Sequence, residues 1–335
     1  MNKIIFIIPY FGSWPKWIPA FFLSCKKNES INWLIFTDCT IPNINYPNIK
    51  FIKMNLEQYL SLASSKLGFR VNKDKYSQCD LKSAYGVIFE EYTVGYNFWG
   101  HCDLDLVWGD IKKFLPMSIL QNYDIISSSE KYIAGHFTIW KNVSYINLLF
   151  KEVPGYQELL SNKKHYVFDE FYITIFLKIQ LLKRNDNNKI TFDYALKRDL
   201  LSFETNYAQK ILEKKIKPLS IYWPKQQLVD RAELDSKPIG WHWKDGKLYD
   251  RNNNEKYYLH FIDWKSSMKH IDFEIGEEPL EFKILRRGIW SKKVPIKEVI
   301  LDLIQPRYKM KLKLFIICGT RNWIIRFRRY VLKLD

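Results

Sequence analysis

The chain has 335 residues, 47% of them hydrophobic and 16% aromatic. That is enough for one large α/β domain or two ordinary ones, with a core that needs no covalent staples. The net charge of +16 is concentrated at one end. From Arg286 to Asp335 there are 14 Lys or Arg against 3 Asp or Glu, so only +5 of the total belongs to the preceding 285 residues. The five cysteines, Cys25, Cys39, Cys79, Cys102 and Cys318, are odd in number and form no C-x-x-C. Neither a disulfide framework nor a zinc ribbon is indicated, and a reducing cytoplasm is the expected compartment. No run of 18 apolar residues occurs, so a membrane-spanning helix is not expected.

The first segment alternates periods as βαβ units do. Ile4 to Ile8 reads as a buried strand rather than a signal sequence, Trp17 to Lys27 as a helix, Trp33 to Phe36 as a second strand ending in Thr37-Asp38, and Ile49 to Met54 as a third. Such continuous apolar runs belong to a mainly parallel sheet covered on both faces. Leu56 to Leu67 reads as a helix closed by Gly68, and Leu81 to Tyr92 as another before Gly95.

The stretch from Tyr96 to Asp110 then runs an aromatic strand into two carboxylates, Asp103 and Asp105. Residues i and i+2 of a strand share a face, so the pair is expected to reach one cation together at the strand end. Hard oxygen ligands suit Mg²⁺ or Mn²⁺. Ligands of open α/β sheets bind at the carboxyl ends of strands, and Pro9-Tyr10, Thr37-Asp38 and Asp103 to Asp105 all occupy such ends. Exposed loop aspartates are the alternative, because a bare D-x-D is a short motif.

Tyr123 to Ser128 and Gly135 to Trp140 read as further strands, and Asp169-Glu170 opens a helix over Phe171 to Leu182, where the acids could serve its N-terminus. Lys183 to Asn188 is a polar loop. Trp241 to Tyr249 reads as a hairpin turned on Asp245-Gly246, and Tyr257 to Lys265 as a strand. The tail interleaves Lys309, Lys311, Lys313, Arg321, Arg326, Arg328, Arg329 and Lys333 with Leu, Ile, Phe and Trp. That pattern fits basic helices lying on an anionic membrane, or a packing helix with a solvated basic face. No nucleic-acid-binding pattern accompanies the charge, so a nucleic-acid partner is not expected.

Cys79-Asp80-Leu81-Lys82-Ser83-Ala84-Tyr85-Gly86 followed by Phe98-Trp99-Gly100-His101-Cys102-Asp103-Leu104-Asp105 resembles the donor-site signature of GT-A-fold glycosyltransferases. With Ile8 to Pro15, Phe36-Thr37-Asp38, Gly135-His136-Phe137-Thr138 and His260 to Lys265, residues 1 to 270 resemble a bacterial glycosyltransferase family of surface-polysaccharide gene clusters. The resemblance implies a GT-A-like, Rossmann-like α/β fold: a mixed, mainly parallel sheet flanked by helices, here over residues 1–285. Outside the resemblance, a basic amphipathic C-terminal extension with the sequence character of a membrane-associating segment would occupy 286–335. The resemblance itself implies Asp103, Asp105 and His260 as ligands of Mn²⁺ or Mg²⁺, with His242 as the alternative histidine. The donor, a UDP-sugar, would be held by Pro9, Tyr10, Phe11, Asp38, Asp80, Lys82, Asp103, Gly135, His136 and Lys265. Lysine stands at 82 where related families usually have arginine, so a bidentate contact is lost. Asp169 or Glu170 would act as base in an inverting reaction or hold sugar hydroxyls in a retaining one. The expected acceptor is a glycan or lipid-linked glycan of O-antigen, lipopolysaccharide or capsule, with the enzyme peripheral on the cytoplasmic face of the inner membrane.

Two readings of other classes remain. Asp103-Leu104-Asp105-Leu106-Val107 fits the D-x-D-x-V of a haloacid-dehalogenase-like phosphatase with Asp103 as nucleophile, although that motif normally opens its domain and about 95 residues of α/β structure precede it here. A non-enzymatic basic membrane adaptor would depend on the tail alone.

Overall fold

The computed structural model describes residues 3–129, 132–182, 210–211, 213–214, 216–222, 240–263 and 265–304. A seven-stranded sheet forms the centre. Its strands are β1 (Ile4–Tyr10), β2 (Ile31–Thr37), β3 (Ile49–Lys53), β4 (Phe98–Cys102), β6 (Ile125–Ser127), β7 (Phe137–Lys141) and β8 (Ile221–Tyr222), in the order β3-β2-β1-β4-β7-β6-β8. Strand β7 runs antiparallel to both its neighbours, and the other four pairings are parallel. This is the mixed, mainly parallel α/β sheet flanked by helices that the GT-A resemblance implied.

Alternate residues of the inner strands feed two separate apolar layers. Ile5 and Ile7 of β1 and Leu34 and Phe36 of β2 point into one. Ile4, Phe6, Ile8, Trp33 and Ile35 point into the other, where Phe6 stacks on Trp33 at 4.8 Å. Burial on both faces is why these strands read as continuous apolar runs instead of alternating ones. Helix α1 (Ile18–Lys26) covers the second layer and α2 (Leu56–Leu67) the first. Helix α2 begins and ends where local chemistry dictates. Asn55 and Gln58 form a reciprocal capping box, and Gly68, at φ +79°, takes the left-handed closing position.

A second sheet, antiparallel except for the parallel pairing of β13 with β15, is built from β9 (Trp241–Lys244), β10 (Lys247–Tyr249), β11 (Glu255–Lys256), β13 (His270–Ile271), β14 (Glu281–Leu285) and β15 (Gly288–Trp290). The hairpin β9–β10 turns on Asp245 and Gly246, both at positive φ, as expected of a two-residue turn. The pairing of β14 with β15 straddles the boundary drawn at 285/286, so this sheet continues into the segment assigned to the extension. Between the two sheets lies a two-stranded ladder of β5 (Leu106–Trp108) and β12 (Tyr258–His260). It is sealed by Val107, Leu259 and Phe261 packing with Trp241, Trp243 and α1. The last described helix, Ile296–Ile304, leaves Ile296 and Ile300 exposed. The basic tail from Arg307 and the loop Lys183 to Asn188 lie outside the described residues.

Four local expectations are corrected. Leu81 to Tyr92 is not one helix. The chain takes a 3₁₀ turn over Ser77–Ala84, a short α-turn over Tyr85–Ile88 and another 3₁₀ turn over Glu90–Tyr92, because Asp80 and Lys82 are drawn inwards to buried partners. The strand before the D-x-D stops at Cys102, so Asp103-Leu104-Asp105 is a bend between strands of different sheets. Asp169 and Glu170 sit inside a π-helical turn, Phe168–Tyr172, that leads into the helix Ile173–Leu182. Among the described residues of Tyr257 to Lys265 only Tyr258–His260 is strand, and Lys265 opens a 3₁₀ turn.

Candidate functional site

The bend at Asp103 to Asp105 is fastened from three sides. Asp103 N donates to the His136 carbonyl (3.1 Å), Trp17 Nε1 to the Leu104 carbonyl (2.8 Å), and Phe261 N to the Asp105 carbonyl (3.1 Å). Strand β12 runs antiparallel to β5 with His260 opposite Leu106, so the histidine arrives beside the bend. The backbone turn, rather than strand alternation, is what lets Asp103 and Asp105 converge. Ligand atoms of Asp103, Asp105 and His260 all lie within 4.8 Å of one another.

The donor set fits a divalent cation on an observation of its own. His260 is only 3% exposed; its Nε2 stands 3.5 Å from Asp105 Oδ1, an ion-pair distance without hydrogen-bond alignment, and its Nδ1 has no hydrogen-bond partner. Buried polar groups are normally hydrogen-bonded, so an imidazole that meets a carboxylate only at 3.5 Å fits the donor set of a cation better than a settled hydrogen bond. Two carboxylate oxygens and one imidazole nitrogen suit Mn²⁺ better than Mg²⁺, which favours oxygen alone. The ring is held by stacking: His136 lies on it with centroids 4.1 Å apart and planes 17° from parallel. His136 is in turn held by Tyr258 Oη at 3.0 Å and Ser128 Oγ at 3.1 Å from Nε2. It is buried, as His260 and Asp105 are.

Two lysines face the carboxylates. Lys82 Nζ donates to Asp103 Oδ1 (2.6 Å) and to the Gly135 carbonyl (2.9 Å) and stands 3.9 Å from Asp169 Oδ2. Burial would lower its pKa, but the charges of Asp103 and Asp169 outweigh that and hold the proton firmly. Lys265 Nζ is 2.9 Å from Asp105 Oδ2, an ion pair without hydrogen-bond alignment. Burial alone would raise the Asp105 pKa. His260 and Lys265 more than reverse this, so the carboxyl sits well below the usual range and is ionised.

Gly135 is the hub of the inner wall. Its carbonyl accepts from Lys82 and faces His101 Nδ1 at 3.0 Å, and its N–H donates to Glu170 Oε1 at 2.8 Å. Burial, aided by the Lys82 charge, pushes the His101 pKa well down, so the ring is neutral. Asp169 is buried against the same glycine. Desolvation raises its pKa well above the ordinary value despite Lys82, and Glu170, Asp80 and Asp103 add to the rise. The pKa values of Asp169 and Asp105 are thus driven in opposite directions, the first up by burial and the second down by its cationic neighbours, and Glu170 is engaged with the backbone.

Of the other expected donor contacts, Tyr10 and Asp38 lie at the ends of β1 and β2. Tyr10 Oη donates to the Ser13 carbonyl and its ring stacks on Trp14 at 5.6 Å. Asp38 Oδ1 accepts from Gly12 N, which ties the two strand ends together. Pro9 is buried within β1, and Phe11 is buried against Tyr59, so both serve the core. His242 stacks on Tyr249 in the second sheet and belongs to no ligand group among the described residues.

Asp80 faces away from the cation group. Its carboxylate accepts from Lys73 Nζ (2.8 Å), Tyr166 N (3.0 Å) and Phe168 N (2.9 Å), and lies 2.9 Å from His165 Nδ1. Cys79, Asp80 and His165 also have metal-ligand spacing, but a carboxylate already engaged four times is a structural knot. The knot explains a strained residue. Val167 holds a left-handed φ of +59°, costly for a β-branched side chain, and Asp80 grips the amides on both sides of it.

Lys73, His101, Ser128 and Tyr258 were not singled out from sequence. Only Tyr258 had a usable signal there: it stands two before His260 in a strand and so shares its face.

A family model described as "Family of unknown function (DUF6625)" matches residues 6–293. No curated protein sequence matches. Among solved structures, the chain resembles the galactosyltransferase LgtC in complex with donor and acceptor sugar analogs. Identity is 14% and the TM-score 0.30, over 49% of this chain and 66%, just under two thirds, of LgtC. Mouse xyloside xylosyltransferase 1 aligns at 8% identity and TM-score 0.27, over 48% and 71% of the two chains. GlyE of Streptococcus pneumoniae TIGR4 aligns at 12% identity and TM-score 0.25, over 68% and 55%. These are distant likenesses of fold.

Proposed function

This chain belongs to the DUF6625 family, and we propose that it is a metal-dependent glycosyltransferase. It would move a hexose from a nucleotide sugar, a UDP-sugar being the expected donor, to a glycan acceptor of bacterial surface polysaccharide. The observation that supports this reading most is the buried His260, without a hydrogen bond of its own, grouped with Asp103 and Asp105. These three residues would hold Mn²⁺ or Mg²⁺. When bound, such an ion supplies positive charge to the diphosphate that leaves the sugar.

The chain's own groups divide the remaining work. Lys265, half-exposed at the rim, can meet a phosphate oxygen as a mobile point charge. Asp169, whose pKa is raised by burial and which stands 3.9 Å from Lys82, would hold a sugar hydroxyl. Glu170 would keep Gly135 in place. The basic tail would hold the enzyme at an anionic leaflet where a lipid-linked acceptor lies, each basic residue contributing about 1 kcal/mol. Deleting residues 307–335 and finding the protein still in the membrane fraction would overturn that part.

The direct test is calorimetric titration of UDP into the protein with and without Mn²⁺, repeated on Asp105→Ala. Micromolar binding that needs both the ion and Asp105 supports the donor site. Failure of UDP, GDP and CDP alike would reject the transferase reading and return attention to phosphatase chemistry at Asp103.

A further inference from the structure

Each carboxylate of the cation site already has a positive partner. Lys82 Nζ is 2.6 Å from Asp103 Oδ1, and Lys265 Nζ is 2.9 Å from Asp105 Oδ2. The lysines come from opposite ends of the fold, one from the 3₁₀ turn before β4 and one from the turn after β12. The site thus sets two ammonium groups against its two acids beside the His260 imidazole, so that the charge of each acid is already offset.

We propose that Lys82 and Lys265 are built-in counter-ions that keep this site from taking a divalent cation until a diphosphate draws them off the carboxylates. A cation alone would bring +2 to carboxylates whose charge is already spent, with two ammonium groups a few ångströms away. At an effective dielectric near 20, each such repulsion weakens binding by roughly tenfold or more. A diphosphate alone would bring negative charge against Asp103 and Asp105. Together the two ligands offset each other, so each raises the affinity for the other by the same factor.

The structure provides somewhere for each lysine to go. The Lys265 side chain is 45% exposed and free to follow an anion at the rim. Lys82 is 10% exposed, but it keeps the Gly135 carbonyl at 2.9 Å and has Asp169 Oδ2 only 3.9 Å away as a replacement partner. The counter-ion role stands on these contacts; only the source of the diphosphate rests on the transferase reading above.

The experiment is titration of Mn²⁺ alone, followed by electron paramagnetic resonance, into wild type, Lys265→Met and Lys82→Met, each checked for folding by circular dichroism. The titrations are then repeated with inorganic pyrophosphate and with UDP. Both variants are expected to bind Mn²⁺ alone at least about tenfold more tightly than wild type. Pyrophosphate or UDP is expected to raise the wild-type Mn²⁺ affinity at least about tenfold, and less in the variants. If burial of Lys82 makes that variant misfold, Lys265→Met decides alone. Equal Mn²⁺ affinity in wild type and Lys265→Met overturns the proposal. So does UDP binding that ignores Mn²⁺, which would mean that the lysines replace the cation permanently. Enhancement by pyrophosphate but by no nucleoside diphosphate would leave the counter-ions standing and reject the donor reading. No Mn²⁺ binding to any of the three proteins rejects both.

Discussion

Replacing Gly135 by alanine tests the inner wall most sharply, because the perturbation is one methyl group with a known destination. An ideal Cβ at Gly135 would stand 2.6 Å from Asp169 Oδ2 and 2.9 Å from Glu170 Oε1. Ordinary contact begins near 3.4 Å, so both carboxyls must retreat by several tenths of an ångström. Asp169 is buried and has little room to give. Overpacking of this kind costs about 1–3 kcal/mol. Displacing Glu170 lengthens its 2.8 Å bond from Gly135 N, and a hydrogen bond to a carboxylate contributes about 1.5–3 kcal/mol. The expected total is therefore roughly 2.5–6 kcal/mol, large against the roughly 5–15 kcal/mol that holds a domain folded. Gly68→Ala is the matched control. Nothing lies within 4 Å of its added carbon, and only its positive φ is strained, at about 1 kcal/mol. Urea unfolding of both variants measures the difference. A Gly135→Ala protein within about 1 kcal/mol of the Gly68→Ala control would show that the wall is not packed as described.

Three further outcomes are expected. His260→Ala should lower Mn²⁺-dependent UDP affinity by at least about tenfold in calorimetry, since metal sites lose that much when a supporting group is removed; unchanged metal dependence would dismiss His260 as a ligand. Lys73→Met removes the cation from a pair whose side chains are both fully buried. Denaturant unfolding should show a loss of about 3–5 kcal/mol, the usual cost of stranding a buried charge. The two buried acids should act on stability with opposite signs as pH changes. Burial would raise the Asp80 pKa, but His165, Lys73 and two amides hold it below the ordinary value of about 3.9, so its contribution is present above that pH and lost on acidification. Asp169 is held above that value, so its contribution is complete below about pH 4 and declines as pH rises towards its folded pKa. Asp169→Asn should flatten the fall in stability above about pH 4; a slope unchanged from wild type would contradict the burial of that proton.

Most of the central sheet was legible because its strands are buried on both faces and read as unbroken apolar runs, and α2 because Asn55, Gln58 and Gly68 carry its limits locally. The D-x-D was legible as a pair, yet the reason its members converge was not. A bend pinned by Trp17, His136 and Phe261 depends on residues far away in the chain. The same applies to Asp80. Its place next to Lys82 promised a donor contact, whereas the fold turns it towards Lys73 and the amides flanking Val167. Buried charge networks follow from tertiary partners, and no local period marks them.

The three-residue ladder between β5 and β12 has a consequence for the life of the chain before it is finished. Asp105 and His260 are 155 positions apart in the sequence, and at roughly 5–20 residues per second a ribosome needs on the order of ten to thirty seconds to go from one to the other. During that interval the nascent protein has its carboxylates but neither the imidazole nor Lys265. A half-made chain can consequently collapse and bury its first sheet, but the group of Asp103, Asp105 and His260 is complete only once the strand Tyr258–His260 has been delivered.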